Sequence, residues 1–142
     1  MSDRGVLLVR SGGRELGLAL ADVLEVADRG ALGRVPARHP AFRGVIQARG
    51  RCVALLHLGS LLSGAACPPG APALSMVLVT AGRWQFALEV ESADAAPDEP
   101  ILPPPDGSGF ASWARGAVKR GGRWIPVLDV EALTRRWQEA AA

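Results

Sequence analysis

The chain has 142 residues and a net charge of +2, and 49% of its residues are hydrophobic. This length and hydrophobic content fit one folded domain and exclude a largely disordered chain. The balance of 16 basic and 14 acidic residues argues against a dedicated nucleic-acid binder, which concentrates positive charge on one face.

The sequence carries no sign of an export signal or a membrane span. Its first residues, MSDRGVLLVRSGG, lack a long apolar segment followed by a small-residue cleavage site. No apolar stretch approaches the roughly 18 residues that a spanning helix needs. The two cysteines, Cys52 and Cys67, are too few for a disulfide framework. We therefore expect a cytoplasmic protein that does not insert into a membrane.

The first half of the chain predicts short strands separated by glycine-containing turns. Apolar runs of strand length, several of which alternate large and small residues, occur at residues 6–9, 16–20, 23–26, 44–47 and 52–56. Gly12-Gly13 and Arg49-Gly50 lie between strand pairs and predict hairpin turns. Pro36 and Pro40 mark an irregular connection, and Leu61 belongs to a predicted short helix.

The second half repeats this order after a Pro/Gly-rich linker, residues 65–73. Its predicted strands are residues 76–79, 86–90, 116–118 and 124–128. Asp129 is a candidate N-cap for a terminal helix that extends to Trp137. The polar, proline-rich segment 91–109 is predicted to be a long loop.

The two halves are related by internal repetition. Arg43-Gly44-Val45-Ile46 lies 72 positions before Arg115-Gly116-Ala117-Val118, and the same offset pairs Gly50 with Gly122. We therefore predict an all-β fold within a single domain, residues 1–142. It would contain two five-stranded β-barrels packed side by side, one from about residues 6–64 and one from about 74–137. A short helix would follow the last strand of each half.

The residues offer no reactive centre. His39 and His57 are the only histidines, and neither has partners at the spacing of a metal site or a catalytic triad. His57 is predicted to be a capping or a solvated histidine. We expect no catalytic activity, no metal and no cofactor. Four tryptophans exceed the needs of a Leu/Val core, so packing and a protein-binding surface both stay open for them.

Several of these residues together resemble the CheW-like domain family. They are the stretch Val23-x-Glu25-Val26, the prolines at 36 and 40, the motif Gly44-Val45-x-x-x-Arg49-Gly50, and the segment 116–133 of the second half. The resemblance extends from Val6 to about Trp137. It implies two intertwined, five-stranded SH3-like barrels.

The resemblance also implies a function. Members of the family are adaptors that link methyl-accepting chemoreceptors to a CheA-type histidine kinase. The expected partners are therefore the cytoplasmic tip of a chemoreceptor and the regulatory domain of such a kinase, with no nucleic acid. The residues implied for the kinase contact are Val23 and Glu25, and those for the receptor contact are Gly44, Val45, Arg49 and Gly50.

Some positions depart from the family pattern and keep alternatives open. Gln47 stands in place of Asn, Ala48 in place of a larger apolar residue, His57 in place of Asp and Gly59 in place of Arg. A divergent auxiliary paralogue that binds only one partner is therefore an alternative. An SH3-like nucleic-acid or small-ligand module is a further one. On the residues alone, Arg49 and Glu25 could each be an ordinary solvated charge.

Overall fold

The computed structural model of the chain describes residues 4–28, 41–63, 75–105, 107 and 113–141. The predicted linker 65–73, the connection around Pro36 and Pro40, and the residues His39 and Cys67 lie outside these ranges. Within them the chain is built almost entirely from β-strands. The strands are β1 (Arg4–Ser11), β2 (Arg14–Ala19), β3 (Val23–Asp28), β4 (Phe42–Ala48), β5 (Arg51–His57), β6 (Ser75–Ala81), β7 (Trp84–Val90), β8 (Ser92–Pro100), β9 (Ala114–Arg120) and β10 (Arg123–Leu128).

One α-helix follows the last strand of each half, as predicted. Helix α1 (Leu58–Ser63) begins directly after β5, and helix α2 (Val130–Ala141) follows β10. A 3₁₀ turn (Leu20–Asp22) connects β2 to β3. The Asp129 side chain accepts a hydrogen bond from the Ala132 N–H at 3.2 Å, which confirms its predicted role as the N-cap of α2.

The strands form two five-stranded sheets, which confirms the all-β fold. The strand order is β8-β1-β2-β10-β9 in the first sheet and β3-β6-β7-β5-β4 in the second. The repeat is visible in these orders, because strands five places apart in the chain take equivalent positions. The prediction of a single domain over residues 1–142 stays a prediction.

Each half of the chain supplies strands to both sheets. The β1–β2 hairpin joins β8, β9 and β10, and the β6–β7 hairpin joins β3, β4 and β5. Each hairpin joins the other half of the chain through an antiparallel pairing on one side, β1 with β8 and β6 with β3. On its other side the pairing is parallel, at Val127 with Gly17 and at Leu55 with Ala87. The sheets therefore do not correspond to the predicted barrels 6–64 and 74–137. This exchange agrees with the intertwined arrangement that the family resemblance implied.

Alternate residues of the central hairpins face two different cores. In β1, Val6 and Leu8 pack inside the first sheet, whereas Leu7 and Val9 pack between the two sheets. The core between the sheets is the largest, and both helices cover it. A strand that is buried on both faces has apolar residues at successive positions, which explains the continuous apolar runs of β1 and β6.

The predicted loop 91–109 is wrong over residues 92–100, which form strand β8. This strand pairs with β1 along most of its length, although all nine of its residues are exposed or half-buried. After it, Leu102 and Ala117 exchange two backbone hydrogen bonds of 2.7 and 2.9 Å. The segment that leaves one edge of the first sheet therefore pairs with β9 at the other edge.

Candidate functional site

The residues that the family resemblance singled out all lie on the edges of the second sheet. Val23 and Glu25 belong to β3, and Gly44 and Val45 belong to β4. Arg49-Gly50 forms the turn between β4 and β5. Because β3 and β4 occupy opposite ends of the order β3-β6-β7-β5-β4, no ladder hydrogen bonds join them in that sheet.

The Arg49 side chain nevertheless reaches from one edge to the other. Its Nη1 atom lies 3.5 Å from the carbonyl oxygen of Leu24, the residue between Val23 and Glu25. The Leu24 side chain also packs against the core cluster that contains Ile46 and Ala48 of β4. The second sheet therefore curls until β3 and the β4–β5 turn share one surface. We call this surface, formed by β3, β4 and Arg49-Gly50, the edge surface.

The turn at Arg49-Gly50 has an uncommon backbone geometry for its sequence. Both residues have positive φ, 54° and 76°, and the pairing of Ala48 with Arg51 closes the turn. These angles match a type I′ hairpin turn, which favours Asn-Gly, Asp-Gly or Gly-Gly. Among the residues that the structure describes, Arg49 is the only non-glycine with positive φ.

The second half provides a direct comparison for this turn. Its counterpart, 72 positions later, is Gly121-Gly122, with φ of 56° and 78°. The backbone is thus the same, but glycine stands where the first half has an arginine. An L-residue in the left-handed region costs about 1–2 kcal/mol. Local strain of this kind is typical of binding and catalytic sites.

The strand that leads to the turn contains a β-bulge. The pairing of β4 with β5 shifts between Phe42–Leu56 and Gly44–Leu55, so that Arg43 is the extra residue. Gly44 is buried and has a φ of 150°, a backbone angle that glycine adopts more readily than other residues. A matching shift in β9, between Gly116 and Ala114, leaves Arg115 as its extra residue.

Both bulge arginines are paired with carboxylates. The Arg43 Nε atom donates to the Glu89 Oε1 at 2.9 Å, and their side chains are 16% and 0% exposed. Arg115 lies 3.5 Å from Asp22, and these two side chains are about one-quarter exposed. The pair on β4 is therefore the more buried one. No local pattern predicts this pair, since a lone glutamate in an apolar strand has no partner nearby in the chain.

His57 ends β5 beside this pair and caps helix α1. Its Nδ1 atom accepts a hydrogen bond from the Ser60 N–H at 3.1 Å and lies 2.9 Å from the Ser60 hydroxyl. The side chain is 5% exposed. Burial lowers the pKa of His57, and the nearby Arg43 lowers it further, against the opposing effect of Glu89 and Glu91. The predicted capping role is confirmed, and the solvated alternative is wrong.

Two of the described tryptophans, Trp113 and Trp84, differ in burial. Trp113 is buried in the central core, whereas Trp84, next to the β6–β7 turn, is 50% exposed with the Arg83 guanidinium 5.8 Å from its ring centre. A cleft of about 310 Å³ lies between this turn and α2, lined in part by Trp84, Glu131 and Arg135. The sequence left packing and a protein-binding surface both open for the tryptophans, and it did not locate this cleft.

A second cleft, of about 370 Å³, lies next to the first and contains charged side chains. Asp22, Asp129, Glu131 and Arg115 are among its lining residues. Burial raises the pKa of Asp22, Arg115 opposes the rise, and the like charges of Asp129 and Glu131 add to it.

The described part of the chain contains no cluster of three His, Cys, Asp or Glu residues that could hold a metal ion. Within the same residues, no helix is long and apolar enough to cross a membrane. Cys52 is exposed on β5, and the Gln47 amide lies 3.1 Å from its sulfur.

A family model and a solved structure are both similar to this chain. The model of the CheW-like domain matches residues 5–138 of this chain. The crystal structure of the scaffolding protein TtCheW from Thermoanaerobacter tengcongensis is similar in fold, with a TM-score of 0.77 and 18% sequence identity. The match covers 93% of this chain and 92% of that one. A search of curated protein sequences found no match.

Proposed function

Because the chain belongs to the CheW-like domain family, we propose that it is a non-catalytic adaptor that couples chemoreceptors to a CheA-type histidine kinase. The family match supports a role in chemotaxis signalling. The observation that carries the more specific proposal is the backbone of Arg49, an arginine held in a conformation that the other half of the chain reserves for glycine. The adaptor would act in the cytoplasm, at the tips of receptors.

The turn at Arg49-Gly50 is the proposed contact with the receptor. An arginine at the tip of a two-residue hairpin projects a planar guanidinium, with five donors, from a short and well-defined support. Such a group binds carboxylates and backbone carbonyls at the surface of a helical receptor tip. Gly44 and Val45 precede it on β4 and would extend the same contact, with Val45 half-buried in the free adaptor.

The strand β3 is the proposed contact with the kinase. It is an edge strand, and the Glu25 side chain is partly exposed on it. The neighbouring Val26 is 46% exposed, which makes it one of the few large apolar side chains on the described surface. An apolar anchor beside a charge is a common composition for a protein interface. We therefore add Val26 to Val23 and Glu25 in the proposed kinase contact.

The two proposed contacts meet where Arg49 approaches Leu24. A receptor that draws the Arg49 guanidinium toward itself would weaken its contact with the β3 backbone at 3.5 Å. The adaptor would thus hold the receptor and the kinase on neighbouring parts of one surface. This coupling would need no catalytic group.

Separate binding assays test the proposal. The purified chain would be titrated by calorimetry with a cognate receptor cytoplasmic tip and with the regulatory domain of the cognate kinase. Arg49→Glu should weaken receptor binding by about 1–3 kcal/mol, because it removes a charged donor and adds a repulsive charge. Glu25→Arg should weaken kinase binding by a similar amount and leave receptor binding unchanged.

A matched control separates site effects from charge effects. Arg83→Glu changes net charge as much as Arg49→Glu does, at another exposed hairpin turn. It should leave both affinities within twofold of the unsubstituted protein. Binding to only one partner would support the alternative of an auxiliary paralogue. Absence of binding to both partners would end the proposal.

A further inference from the structure

The buried ion pair of Arg43 and Glu89 lies at the start of the strand that carries the proposed receptor contact. Glu89 is on β7, where it pairs in parallel register with His57 of β5. Arg43 comes from β4, the next strand beyond β5, and its side chain crosses to reach Glu89. The pair therefore ties the edge strand to the middle of the sheet at the position of the bulge.

The bulge determines to which face of the sheet each later side chain of β4 points. Because side chains alternate along a strand, a slip of one residue would turn every later side chain to the opposite face. After the bulge, Ile46 and Ala48 face the core of the second sheet, while Val45 is half-buried and Gln47 is exposed. Gly44 has no side chain to resist a slip. The Arg43 side chain does resist a slip, because its charge is stabilised only where it can reach the Glu89 carboxylate.

We propose that the Arg43–Glu89 ion pair is a positioning device, which holds the bulge of β4 in one register and thereby fixes the direction of Val45 and Arg49. The inference rests on the proposed function in so far as these residues meet a receptor. Buried ion pairs often add little to stability compared with apolar residues of similar size, and fixing a register is their best-supported use. Arg43 and Glu89 would then act through the residues that touch the receptor and not touch it themselves.

The double variant Arg43→Met/Glu89→Met separates positioning from stability. It replaces two charged groups by apolar side chains of similar length, so no isolated charge is left in the core. We expect it to unfold in urea close to the unsubstituted midpoint. Its ¹H–¹⁵N amide spectrum should show displaced or doubled signals for residues 44–50. Its affinity for the receptor tip should fall about tenfold, while affinity for the kinase domain stays within twofold.

The repeat offers a control at the equivalent bulge. Arg115→Met removes the corresponding arginine from β9 and should leave the signals of residues 44–50 and the receptor affinity unchanged. Glu89→Gln is a milder second variant, which keeps the shape and removes the charge. It should broaden or displace the amide signals of Gly44 and Val45 even if the double variant fails to fold.

The outcomes distinguish this inference from the proposed function. If the unsubstituted chain does not bind the receptor tip, the proposed function fails, and the amide spectra alone decide the inference. If the double variant and Glu89→Gln both keep a single native set of signals at residues 44–50, the pair does not set the register. Native receptor affinity in the double variant would overturn the inference as well.

Discussion

Replacing Arg49 by glycine should move stability and binding in opposite directions. At a φ of 54°, an arginine costs about 1–2 kcal/mol relative to its preferred conformations. Glycine removes this cost but adds about 0.4–1 kcal/mol of backbone entropy to the unfolded chain. The contact of Arg49 with Leu24 is exposed and at the limit of a hydrogen bond, at 3.5 Å, so its loss adds little. The net expectation is a stabilisation of about 0.5 kcal/mol.

The same substitution should weaken binding to the receptor tip. It removes the guanidinium and leaves the turn unchanged, because Gly121-Gly122 adopts the same angles in the other half. Loss of a charged interface hydrogen bond costs about 1.5–3 kcal/mol, which is a reduction in affinity of roughly tenfold to a hundredfold. Trade-offs of this sign are expected where a strained residue serves function.

Urea unfolding and calorimetric titration measure the two effects. Gly121→Arg is the matched control, since it places an arginine at the equivalent turn. It should destabilise the chain by about 0.5 kcal/mol or more and leave receptor affinity unchanged. If Arg49→Gly destabilised the protein by 1 kcal/mol or more, the strain argument would be wrong. If its receptor affinity were unchanged, Arg49 would be an ordinary solvated turn residue.

Three further predictions follow from the buried parts of the fold. Glu89→Ala should destabilise by about 3 kcal/mol in urea unfolding, because it leaves the Arg43 charge in a largely buried site; a loss below 1 kcal/mol would contradict this. Gly116→Val should destabilise by at least 1–3 kcal/mol, since a Cβ there would lie 2.7 Å from Ile101 Cγ2 and 2.8 Å from the Leu102 oxygen, and amide exchange at Ala117 should quicken. Protection of Ala117 at the unsubstituted level would argue against that clash. Because the pKa of His57 is lower in the folded chain, the unfolded chain binds a proton at this histidine at a higher pH than the folded chain does. The free energy of unfolding should therefore decline as the pH falls from about 6.5, the unfolded pKa, through the folded pKa. His57→Gln should flatten that part of a urea midpoint series between pH 7.5 and 5, and an unchanged slope would show that His57 does not cause it.

Much of the fold was predictable because it depends on local pattern. Alternating and continuous apolar runs located nine of the ten strands, and paired glycines located hairpin turns. The repeat predicted equivalent elements in the two halves, including a helix after each last strand. The Gly44–Gly50 motif pointed to the edge surface, although the sequence alone could not say that β3 adjoins the β4–β5 turn.

The sequence by itself determined the approximate positions of nine strands and of the hairpin turns, since those follow from neighbouring residues and from the φ that each residue tolerates. Only the tertiary structure decided which strands become neighbours. The mostly exposed segment 92–100 forms β8 because its backbone hydrogen-bonds to the edge of β1. Each central hairpin lies in a sheet with strands from the other half of the chain, through pairings such as Val127 with Gly17. The same is true of Arg43 and Glu89, which are 46 residues apart in the chain. Which strands pair depends on the total burial that distant segments reach together, and this total cannot be read from a local sequence pattern.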